Sequence, residues 1–570
     1  MTARSSPSRV SVRILSSMSW GHRVVAQRNG ANNCSQTAAP VGRTTPSILL
    51  VSSGVVRSCI RETLMGKLKK RIMKWSLSAV KMSLAATVLA TPALPVLADD
   101  EDSHDYGARV EERLKRSSMH WFGVRGPLEA SAPATTGAYR TAAQPADDQV
   151  LLADGLKAEY VSRTAGNAAD MFAFWPNDER PTHLIFCIEG GRQDLGTFLP
   201  GGLVKKFNPS VQSVKISDGS VQTILRGMTA CDGIRRTPWR TIVATEETST
   251  GGVYEIINPL QQTNHTITDR ALGTIVDENG APSASIVKRT ALPTMAWEGL
   301  AVLPSGVIIA GDELRPGTGT ADVDGGAIFK FIPAAPRTTS EPISNLTESP
   351  LVAGNVYALR ISCTTGVQYG QGCEIGSGAW VAVGAATARG DADRVGATGY
   401  YRPEDLEQDE EYAGEGVRFC WTNTGESDIA NYGEVLCGVD RAPLIADPSQ
   451  QTVTANRFVE GDADFNQPDN FAFQPKTGNH YVIEDNPNGD IFACLPDGKD
   501  RDIKTDGCVK ILSVKDSSAE PTGFKFTADG KTAYLAIQHS NDTNMPKVDD
   551  YATDDIIKIT GFKIPHRFER

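Results

Sequence analysis

Short apolar runs separated by Gly, Pro and Asp fill the chain beyond residue 150. From Trp297 the order of parts is an apolar strand, a Pro-Ser-Gly turn, a second strand, an acid pair, a loop and a third strand that begins "GGAIFKF". From Pro468 the same order recurs in "PDNFAFQPKTGNHYVIEDNPNGDIFACLPDG". The runs are rich in β-branched and aromatic residues, which favours strands over helices. The pattern therefore predicts an all-β chain.

Copies of this unit recur at a spacing of roughly 50 to 60 residues, which is typical of a β-propeller. A further copy ends in Gln538 and His539, and "GVRFCWTNTGESDIANYGEVLCGV" fits more loosely, with Thr422 and Asn423 near the acid position. Because each four-stranded blade needs neighbours for burial, we predict a six-bladed β-propeller with loop insertions over residues 151–565. A helical solenoid is disfavoured.

An adjacent pair of acids ends the second strand of three of these units. A single acid pair is more often a solvated turn. Acid pairs that occur at the same place in each repeated unit indicate instead that equivalent corners of the blades face a central tunnel. Carboxylates that converge there repel one another unless a cation is bound, and oxygen ligands suit hard ions, so the pattern predicts Ca2+. The pairs are Glu246 with Glu247, Asp312 with Glu313, and Glu484 with Asp485.

The first part of the chain has the features of an export signal. Lysines and one arginine between residues 67 and 81 precede the apolar stretch "MSLAATVLATPALPVLA", which is short and rich in small residues. We predict a mis-called extension over residues 1–64, a signal over 65–98 cleaved after Ala98, and a lead-in helix and linker over 99–150. The expected location is periplasmic or secreted.

The charge of the chain limits its partners. Residues 1–98 hold 14 Lys and Arg and one acid, whereas the remainder holds 43 basic and 67 acidic residues. Such an acidic surface repels nucleic acid and anionic membranes and attracts divalent cations. We therefore expect no nucleic-acid partner, no membrane association after signal cleavage, and a monomer.

Eight of the ten cysteines follow the predicted signal, and an even number in an exported chain favours disulfides. No C-x-x-C occurs, so zinc-ribbon spacing is absent. Three pairs are predicted because their cysteines are close in sequence, and the last two of these flank hairpin-like turns. The fourth pair consists of the two cysteines that remain. The predicted pairs are Cys363 with Cys373, Cys420 with Cys437, Cys494 with Cys508, and by remainder Cys187 with Cys231.

Several segments resemble the secreted PhoX-type alkaline phosphatases, over about residues 150–560. They are "TPWRTIVATEE", "WEG", "GDE" followed by "GAIFKFIP", "YRPEDLE", "QPDNFAF" and "EPTGFKFTADGKTAYLAIQHSND", of which "RPEDLE" and "DGKTAYLAIQH" are the most distinctive. The resemblance implies a six-bladed propeller that hydrolyses phosphate monoesters with a cluster of calcium and iron ions in its tunnel.

The resemblance also implies roles for single residues. Glu246, Glu298 and Glu404 match metal-binding carboxylates, and Arg402 and Lys330 match phosphate-contacting cations. An Arg fork holds two phosphate oxygens, Lys adds a point charge, and metals polarise the ester. Two structural alternatives stay open for the cations: a surface ion pair of Arg402 with a nearby acid, and a solvated strand position for Lys330.

The chain departs from the family at two places. Where the family commonly has a cysteine before the two glutamates, this chain has Thr245, a neutral hydroxyl in place of a soft thiolate. "KKRIMK" also lacks the twin arginines used for export of metal-loaded proteins. Both features make iron doubtful and leave calcium untouched. We count Thr245 with Arg402 and Lys330 as the residues on which catalysis would depend.

The predicted function is an exported, calcium-dependent phosphoric-ester hydrolase that acts on a phosphate monoester. Two alternatives remain open: a calcium propeller that acts on lactones or other esters, and a non-catalytic calcium-stabilised binding protein. His539 is interpreted as a hydrogen-bonded residue that closes a blade rather than as a general acid. No Gly-x-Ser-x-Gly, Gly-Lys-Ser/Thr loop or His-Glu-x-x-His motif supports a serine hydrolase, a nucleotide enzyme or a zinc protease.

Overall fold

A computed structural model describes residues 106–317, 324–361, 374–496, 507–538 and 544–565. The predicted extension and signal, the predicted Cys363–Cys373 pair and His539 lie outside the described residues. All described residues belong to the unit Ala98–Arg570. No helix within the described ranges is long and apolar enough to cross a membrane.

The described chain is dominated by strands, as the short apolar runs predict. The α-helices of the described residues are α1 Tyr106–Arg116, α2 Ser118–Trp121 and α3 Ala388–Val395. The first strands are β1 Val150–Leu152, β2 Lys157–Gly166, β3 Ala169–Trp175, β4 His183–Ile188, β5 Asp194–Phe198, β6 Lys205–Phe207, β7 Pro209–Lys215, β8 Val221–Arg226, β9 Cys231–Arg236 and β10 Thr241–Glu246. The next are β11 Val253–Ile257, β12 His265–Asp269, β13 Thr274–Val276, β14 Ile286–Lys288, β15 Trp297–Val302, β16 Ile308–Asp312, β17 Ile328–Pro333, β18 Gly354–Ile361, β19 Gly376–Val383 and β20 Pro403–Gln408. The last are β21 Val417–Asn423, β22 Glu434–Asp440, β23 Val453–Glu460, β24 Pro468–Phe473, β25 His480–Glu484, β26 Asp490–Cys494, β27 Cys508–Val514, β28 Glu520–Phe526, β29 Thr532–Gln538 and β30 Thr553–Thr560.

These strands form mostly antiparallel sheets in which sequence neighbours pair. The sheet orders are β13-β12-β8-β7-β4-β3, β14-β11-β10-β9, β15-β16-β17-β18-β19-β23-β22-β21-β20, β1-β27-β26-β25-β24, β2-β30-β29-β28 and the separate hairpin β5-β6. Strands β3, β9, β15, β20, β24 and β28 contact one another in this order, and β28 contacts β3 again. We call these six the inner strands. They form a closed ring.

Both ends of the chain contribute to the closure of the ring. Strand β2 pairs antiparallel with β30, from Lys157 opposite Thr560 to Gly166 opposite Thr553. Strand β1 pairs in the same sense with β27. Because strands from the start and the end of the chain share a sheet, the ring cannot open without exposing two strand edges.

The core lies between the sheets. Strands such as β3, β10 and β27 are buried along almost their whole length, since each sheet packs against neighbours on both faces. Such strands are recognised as continuous apolar runs rather than as strict alternation. The largest fully buried side chains of the described residues include Trp239, Trp297, Trp380 and Trp421.

The described residues contain three disulfides, and each of these pairs was predicted. Cys420 lies directly opposite Cys437 on β21 and β22, and Cys494 lies opposite Cys508 on β26 and β27, with Cα–Cα distances of 4.0 Å in both pairs. The third disulfide, Cys187–Cys231, spans 44 residues and joins β4 to inner strand β9 of the adjacent sheet.

The lead-in segment packs on the strands. The amide of Asn479 donates to the carbonyl of Trp121 (2.9 Å), and Ser131 donates to Asp490 (2.6 Å). Arg140 is fully buried and forms an ion pair with Asp555 on β30. Residues 122–149, whose composition favours a linker, are therefore bound to the sheets β1-β27-β26-β25-β24 and β2-β30-β29-β28.

Candidate metal centre

Five inner strands carry an acid at the same structural position. Near the start of each strand, two residues face a single residue of the neighbouring strand, and the first of the two is an acid. Such a β-bulge breaks the regular pairing and redirects side chains. The sixth inner strand, β28, has its irregular pairing further along, after Thr522. The acids are Asp170, Asp232, Glu298, Glu404 and Asp469.

A second set of acids follows the strands that pair with the inner strands. Each of the four donates its backbone N–H to the carbonyl of the residue that precedes an inner strand, at 2.7 to 3.0 Å. Since this hydrogen bond is the same in four sheets, their side chains occupy equivalent corners at one end of the ring. These acids are Glu189, Glu247, Glu313 and Asp485.

Seven of these acids form a continuous run. Three groups of carboxylates are suited to hold a metal ion, and within each group one oxygen per residue lies within 4.8 Å of the others. The groups share Asp232 and Glu298, so they connect. They are Asp170 with Glu189 and Asp232, Asp232 with Glu247 and Glu298, and Glu298 with Glu404 and Asp469.

Burial and mutual repulsion destabilise the charged forms of these carboxylates. Burial, followed by the charges of neighbouring acids, raises the pKa of Asp232, Glu298 and Asp469 well above the ordinary range. For Glu404, burial raises the pKa to about 8 although the positive charge of Arg402 acts in the opposite direction. Added positive charge near these four carboxylates would therefore stabilise their ionised forms.

The guanidinium of Arg402 faces the run. Its Nε donates to Glu313 at 2.7 Å, and its Nη2 lies 3.2 Å from Glu404 and 3.4 Å from Asp485. Burial by itself lowers the pKa of Arg402, but the charges of Glu404 and Glu313 outweigh it, so the pKa is raised. The backbone of Arg402 has a φ of 58°, a left-handed conformation that costs about 1 kcal/mol for a residue with a Cβ.

The two members of each acid pair have different environments. Glu247 belongs to the run, and Glu313 and Asp485 contact Arg402. The other member of each pair stabilises the backbone and side chains around it instead. Glu246 forms an ion pair with Arg270 at 2.7 Å, and Asp312 forms one with Arg389 at 2.5 Å. Glu484 accepts the backbone N–H groups of Asn466 and Asp490. Glu246 and Asp312 also accept the N–H groups of Thr229 and Ala296.

The predicted metal residues are thus divided by the structure. Glu247, Glu298 and Glu404 lie within the run, and Glu313 and Asp485 lie at its edge with Arg402. Glu246, Asp312 and Glu484 lie outside the three groups, in the stabilising contacts.

Thr245 and Lys330 lie apart from the clustered oxygens. Thr245 is buried on β10 opposite the bulge of β9, and its hydroxyl donates to the carbonyl of Gly233 at 2.9 Å. The ammonium of Lys330 lies 2.8 Å from Asp440 and 4.6 Å from the ring centre of Trp380. Burial lowers the pKa of Lys330 to about 8. Neither Asp440 nor Trp380 belongs to the acidic groups.

Sequence reasoning missed Asp170, Glu189, Asp232 and Asp469. A signal for three of them was available, because an acid occupies the second position of "ADMFAF", "CDGI" and "PDNFAF" just as it does in "WEGL" and "PEDL". The acid pairs stand at the end of the second strand of a unit, whereas these three acids stand at the start of the first strand, and none of the three has an adjacent acid. Glu189 has no adjacent acid, so the acid-pair pattern does not identify it.

The donors of the run fit a hard cation. Every donor is a carboxylate oxygen, and the buried Oδ1 of Asp232 has no hydrogen-bond partner. Calcium binds such oxygen sets, whereas iron–thiolate binding needs a free cysteine. The six cysteines within the described ranges are all in disulfides.

A closed ring of inner strands with a carboxylate run at one end defines an all-β protein with a candidate cation centre. The sequence matches the family described as Alkaline phosphatase PhoX over residues 209–541. The chain belongs to this family. No curated protein sequence gives a significant match.

The solved structures that match this chain include Pseudomonas fluorescens PhoX in complex with vanadate, a transition state analogue. The identity is 16%, the TM-score is 0.47, and the match covers 76% of this chain and 98% of that chain. XC5397, a gluconolactonase from Xanthomonas campestris, matches with 12% identity and a TM-score of 0.35 over 77% of this chain and 99% of that chain.

Proposed function

We propose that this protein is a metal-dependent phosphomonoester hydrolase whose cation centre is the carboxylate run. The observation that carries the proposal is the convergence of seven carboxylates from separate sheets in a member of the PhoX family. Burial and the charges of neighbouring acids destabilise the ionised forms of Asp232 and Glu298. Such a site is stabilised by divalent cations.

We also propose that the ring is a six-bladed β-propeller. The support is the cyclic contact of six inner strands, each of which begins a set of antiparallel strands. The nine-stranded sheet contains two such sets, joined where β19 pairs with β23. In this arrangement the carboxylate run lies at one end of the central tunnel.

Arg402 is proposed to hold the phosphoryl group of the substrate. Its guanidinium lies at the run, and a planar fork of N–H donors matches two phosphate oxygens. The contacts with Glu313 and Asp485 orient the fork before substrate arrives. A bound cation would polarise the phosphoryl oxygens and neutralise the carboxylates. Glu404 is oriented by the hydroxyl of Thr424, which donates to it at 2.5 Å.

Calcium is proposed as the resident ion. The donor set consists of oxygens, and Thr245 is turned towards the carbonyl of Gly233. A neutral hydroxyl is a harder and weaker ligand than a thiolate, so it is a poor replacement for one in an iron site. Iron is therefore not part of the proposal.

The test combines metal analysis with turnover. Purified protein is analysed for calcium and iron, stripped with a chelator, and assayed on p-nitrophenyl phosphate before and after calcium is restored. We expect bound calcium, loss of hydrolysis on stripping and recovery with calcium. Calcium-dependent hydrolysis of a lactone with no phosphatase activity would replace the proposal with the lactonase alternative. Bound calcium with neither activity would support a binding protein.

Export to the periplasm or medium is proposed from the basic and apolar residues before Ala98. The exported protein is expected to begin at Asp99. N-terminal sequencing of protein from the culture medium or periplasm tests this, and retention of residues 1–64 would contradict it.

A further inference from the structure

The most exposed large apolar side chains of the described residues lie at one end of the ring. Leu272, Leu203, Ile429 and Phe198 are 79%, 73%, 68% and 56% exposed. We call these four residues the apolar tips. The course of the chain places all of them at the end where the carboxylate run lies.

The hairpin β5-β6 leaves the ring beside the run. Strand β4 ends at Ile188, next to Glu189 of the run, and the chain returns to the sheet at Pro209. Phe198 ends β5, and Leu203 lies in the turn before β6. These two tips therefore project from the same end as Glu189.

The other two tips lie on loops tied to the run. Leu272 follows Arg270, whose guanidinium pairs with Glu246, the neighbour of Glu247. Ile429 lies in the loop that begins after β21, where Thr424 donates to Glu404. The apolar tips thus belong to three separate loops around the candidate site.

The β5-β6 hairpin has a defined shape. The N–H of Leu199 donates to the carbonyl of Val204 at 2.9 Å, and both side chains are buried. Arg192, at the base, stacks on Phe207 and donates to the carbonyl of Ile267 at 2.9 Å. Because Leu199 and Val204 point inward, the neighbouring tips Phe198 and Leu203 are held outward.

A lipid surface accommodates this arrangement better than a protein partner does. Protein interfaces need a continuous, shape-complementary patch, whereas a fluid lipid interface accepts separate apolar groups from different loops. The charges favour neutral lipid. Lys205 and Lys206 beside Leu203 are paired with Asp194 and with Asp549 and Asp550, so they offer little free positive charge to anionic headgroups. The excess of acidic over basic residues after residue 98 also disfavours an anionic surface.

We propose that the apolar tips seat this end of the protein on a neutral lipid surface, and that its substrates include phosphate monoesters whose alcohol carries a long apolar chain. This inference rests on the proposed hydrolase function. It departs from the expectation of no membrane association, because that expectation used net charge alone and net charge does not show where apolar residues lie.

Binding is tested with phosphatidylcholine vesicles and the mature protein purified from the exported fraction. The variant Phe198→Ser/Leu203→Ser should partition at least about tenfold more weakly than the parent, because two apolar side chains leave the lipid contact. Ile429→Ser, on a different loop, should weaken binding in the same direction. The matched control is Val352→Ser/Leu444→Ser, which removes two side chains that are 52% and 49% exposed at the opposite end of the strands.

Equal binding by the tip variant and the control would overturn the proposal, and so would an absence of binding by the parent. Binding that requires phosphatidylserine would overturn the neutral-lipid assignment. Stable self-association that the tip variant abolishes, without vesicle binding, would assign the tips to a second copy of the chain.

Turnover separates this inference from the proposed function. Parent and variants are assayed on soluble p-nitrophenyl phosphate and on phosphatidic acid diluted in phosphatidylcholine vesicles. We expect the tip variant to keep its activity on the soluble ester and to lose about tenfold or more on the vesicle substrate. Hydrolysis of the soluble ester alone would contradict the inference and leave the hydrolase function intact. No hydrolysis of either ester would contradict the hydrolase function, even where vesicle binding persists.

Discussion

Cys187 and Cys231 form a disulfide, and each lies within two residues of a carboxylate of one acidic group. Glu189 follows Cys187 by two positions, and Asp232 directly follows Cys231. The disulfide therefore joins the two sheets at the point where they supply neighbouring candidate ligands. The other described disulfides, Cys420–Cys437 and Cys494–Cys508, link adjacent strands within one sheet.

The first prediction is that Cys187→Ser/Cys231→Ser weakens calcium binding as well as stability. Loss of a cross-link over 44 residues costs about 4 kcal/mol by chain entropy, and it also releases Asp232 relative to Glu189. Cys420→Ser/Cys437→Ser is the control, and it should lower stability with little change in calcium affinity. Calorimetric titration and thermal melts measure the two effects. Equal calcium affinity in both variants would refute the prediction.

The second prediction is that removal of calcium lowers the melting temperature. A ligand bound only to the folded state stabilises it by RT ln(1 + [L]/Kd), about 2.7 kcal/mol at a hundredfold excess over Kd. Without the cation, the run retains repulsion among buried carboxylates such as Asp232 and Glu298. Protein shown by elemental analysis to be free of calcium is compared with reloaded protein. Identical melting curves would return the acids to a purely structural role.

The third prediction separates the two members of one acid pair. Glu247→Gln should reduce calcium content and affinity, since Glu247 belongs to the run. Glu246→Gln should leave calcium content unchanged and destabilise the fold by about 3 kcal/mol, because the buried carboxylate that pairs with Arg270 loses its charge. Metal analysis and denaturant unfolding of both variants decide the matter. A loss of calcium in Glu246→Gln equal to that in Glu247→Gln would disprove the division.

The fourth prediction concerns Arg402. Replacement by Ala should reduce the turnover of p-nitrophenyl phosphate by roughly thirty- to a thousandfold, since a buried charge-assisted contact is worth about 2 to 4 kcal/mol in the transition state. Arg402→Lys keeps the charge without the fork and should recover only part of the rate. Calcium content should be nearly the same in both variants, whereas Glu404→Ala should lower calcium content and turnover together. Full activity in Arg402→Ala would remove the arginine from the mechanism.

The fifth prediction is an acid-dependent loss of stability that depends on His480. This side chain is fully buried against the rings of Phe458, Phe471 and Phe473, and burial, aided by the charge of Arg418, lowers its pKa well below the ordinary value. Below about pH 6.5 the unfolded chain protonates this histidine and the folded chain does not, so stability falls with decreasing pH by up to about 1.4 kcal/mol per unit.

His480→Leu tests this prediction because leucine cannot take up a proton. The difference in stability between parent and variant should be constant above pH 7 and should change in favour of the variant as the pH falls from 6.5 to 5. Urea unfolding at fixed calcium concentration measures it. Parallel stability curves over this range would show that His480 does not contribute.

Local features of the sequence were sufficient for the strands and for two disulfides. Apolar runs broken by Gly, Pro and Asp are set by the backbone preferences of neighbouring residues, so the all-β class follows from them. Cys420–Cys437 and Cys494–Cys508 close hairpins, and short loops bring such pairs together. The recurrence of the acid pairs likewise follows from a repeated unit, and it located Glu247 near the candidate site.

The tertiary structure decided which acid of each pair faces the run. Successive strand residues point to opposite sides, so only one of Glu246 and Glu247 can do so, and the partner that retains Glu246 is Arg270 from a later strand connection. Lys330 is likewise kept away from the run, because its ammonium donates to Asp440, which lies 110 residues further along the chain. Local sequence contains no information on such pairings, because the contacts form only when distant sheets pack. The bulges that turn Asp232 and Glu298 into the ring depend equally on the register with the neighbouring strand.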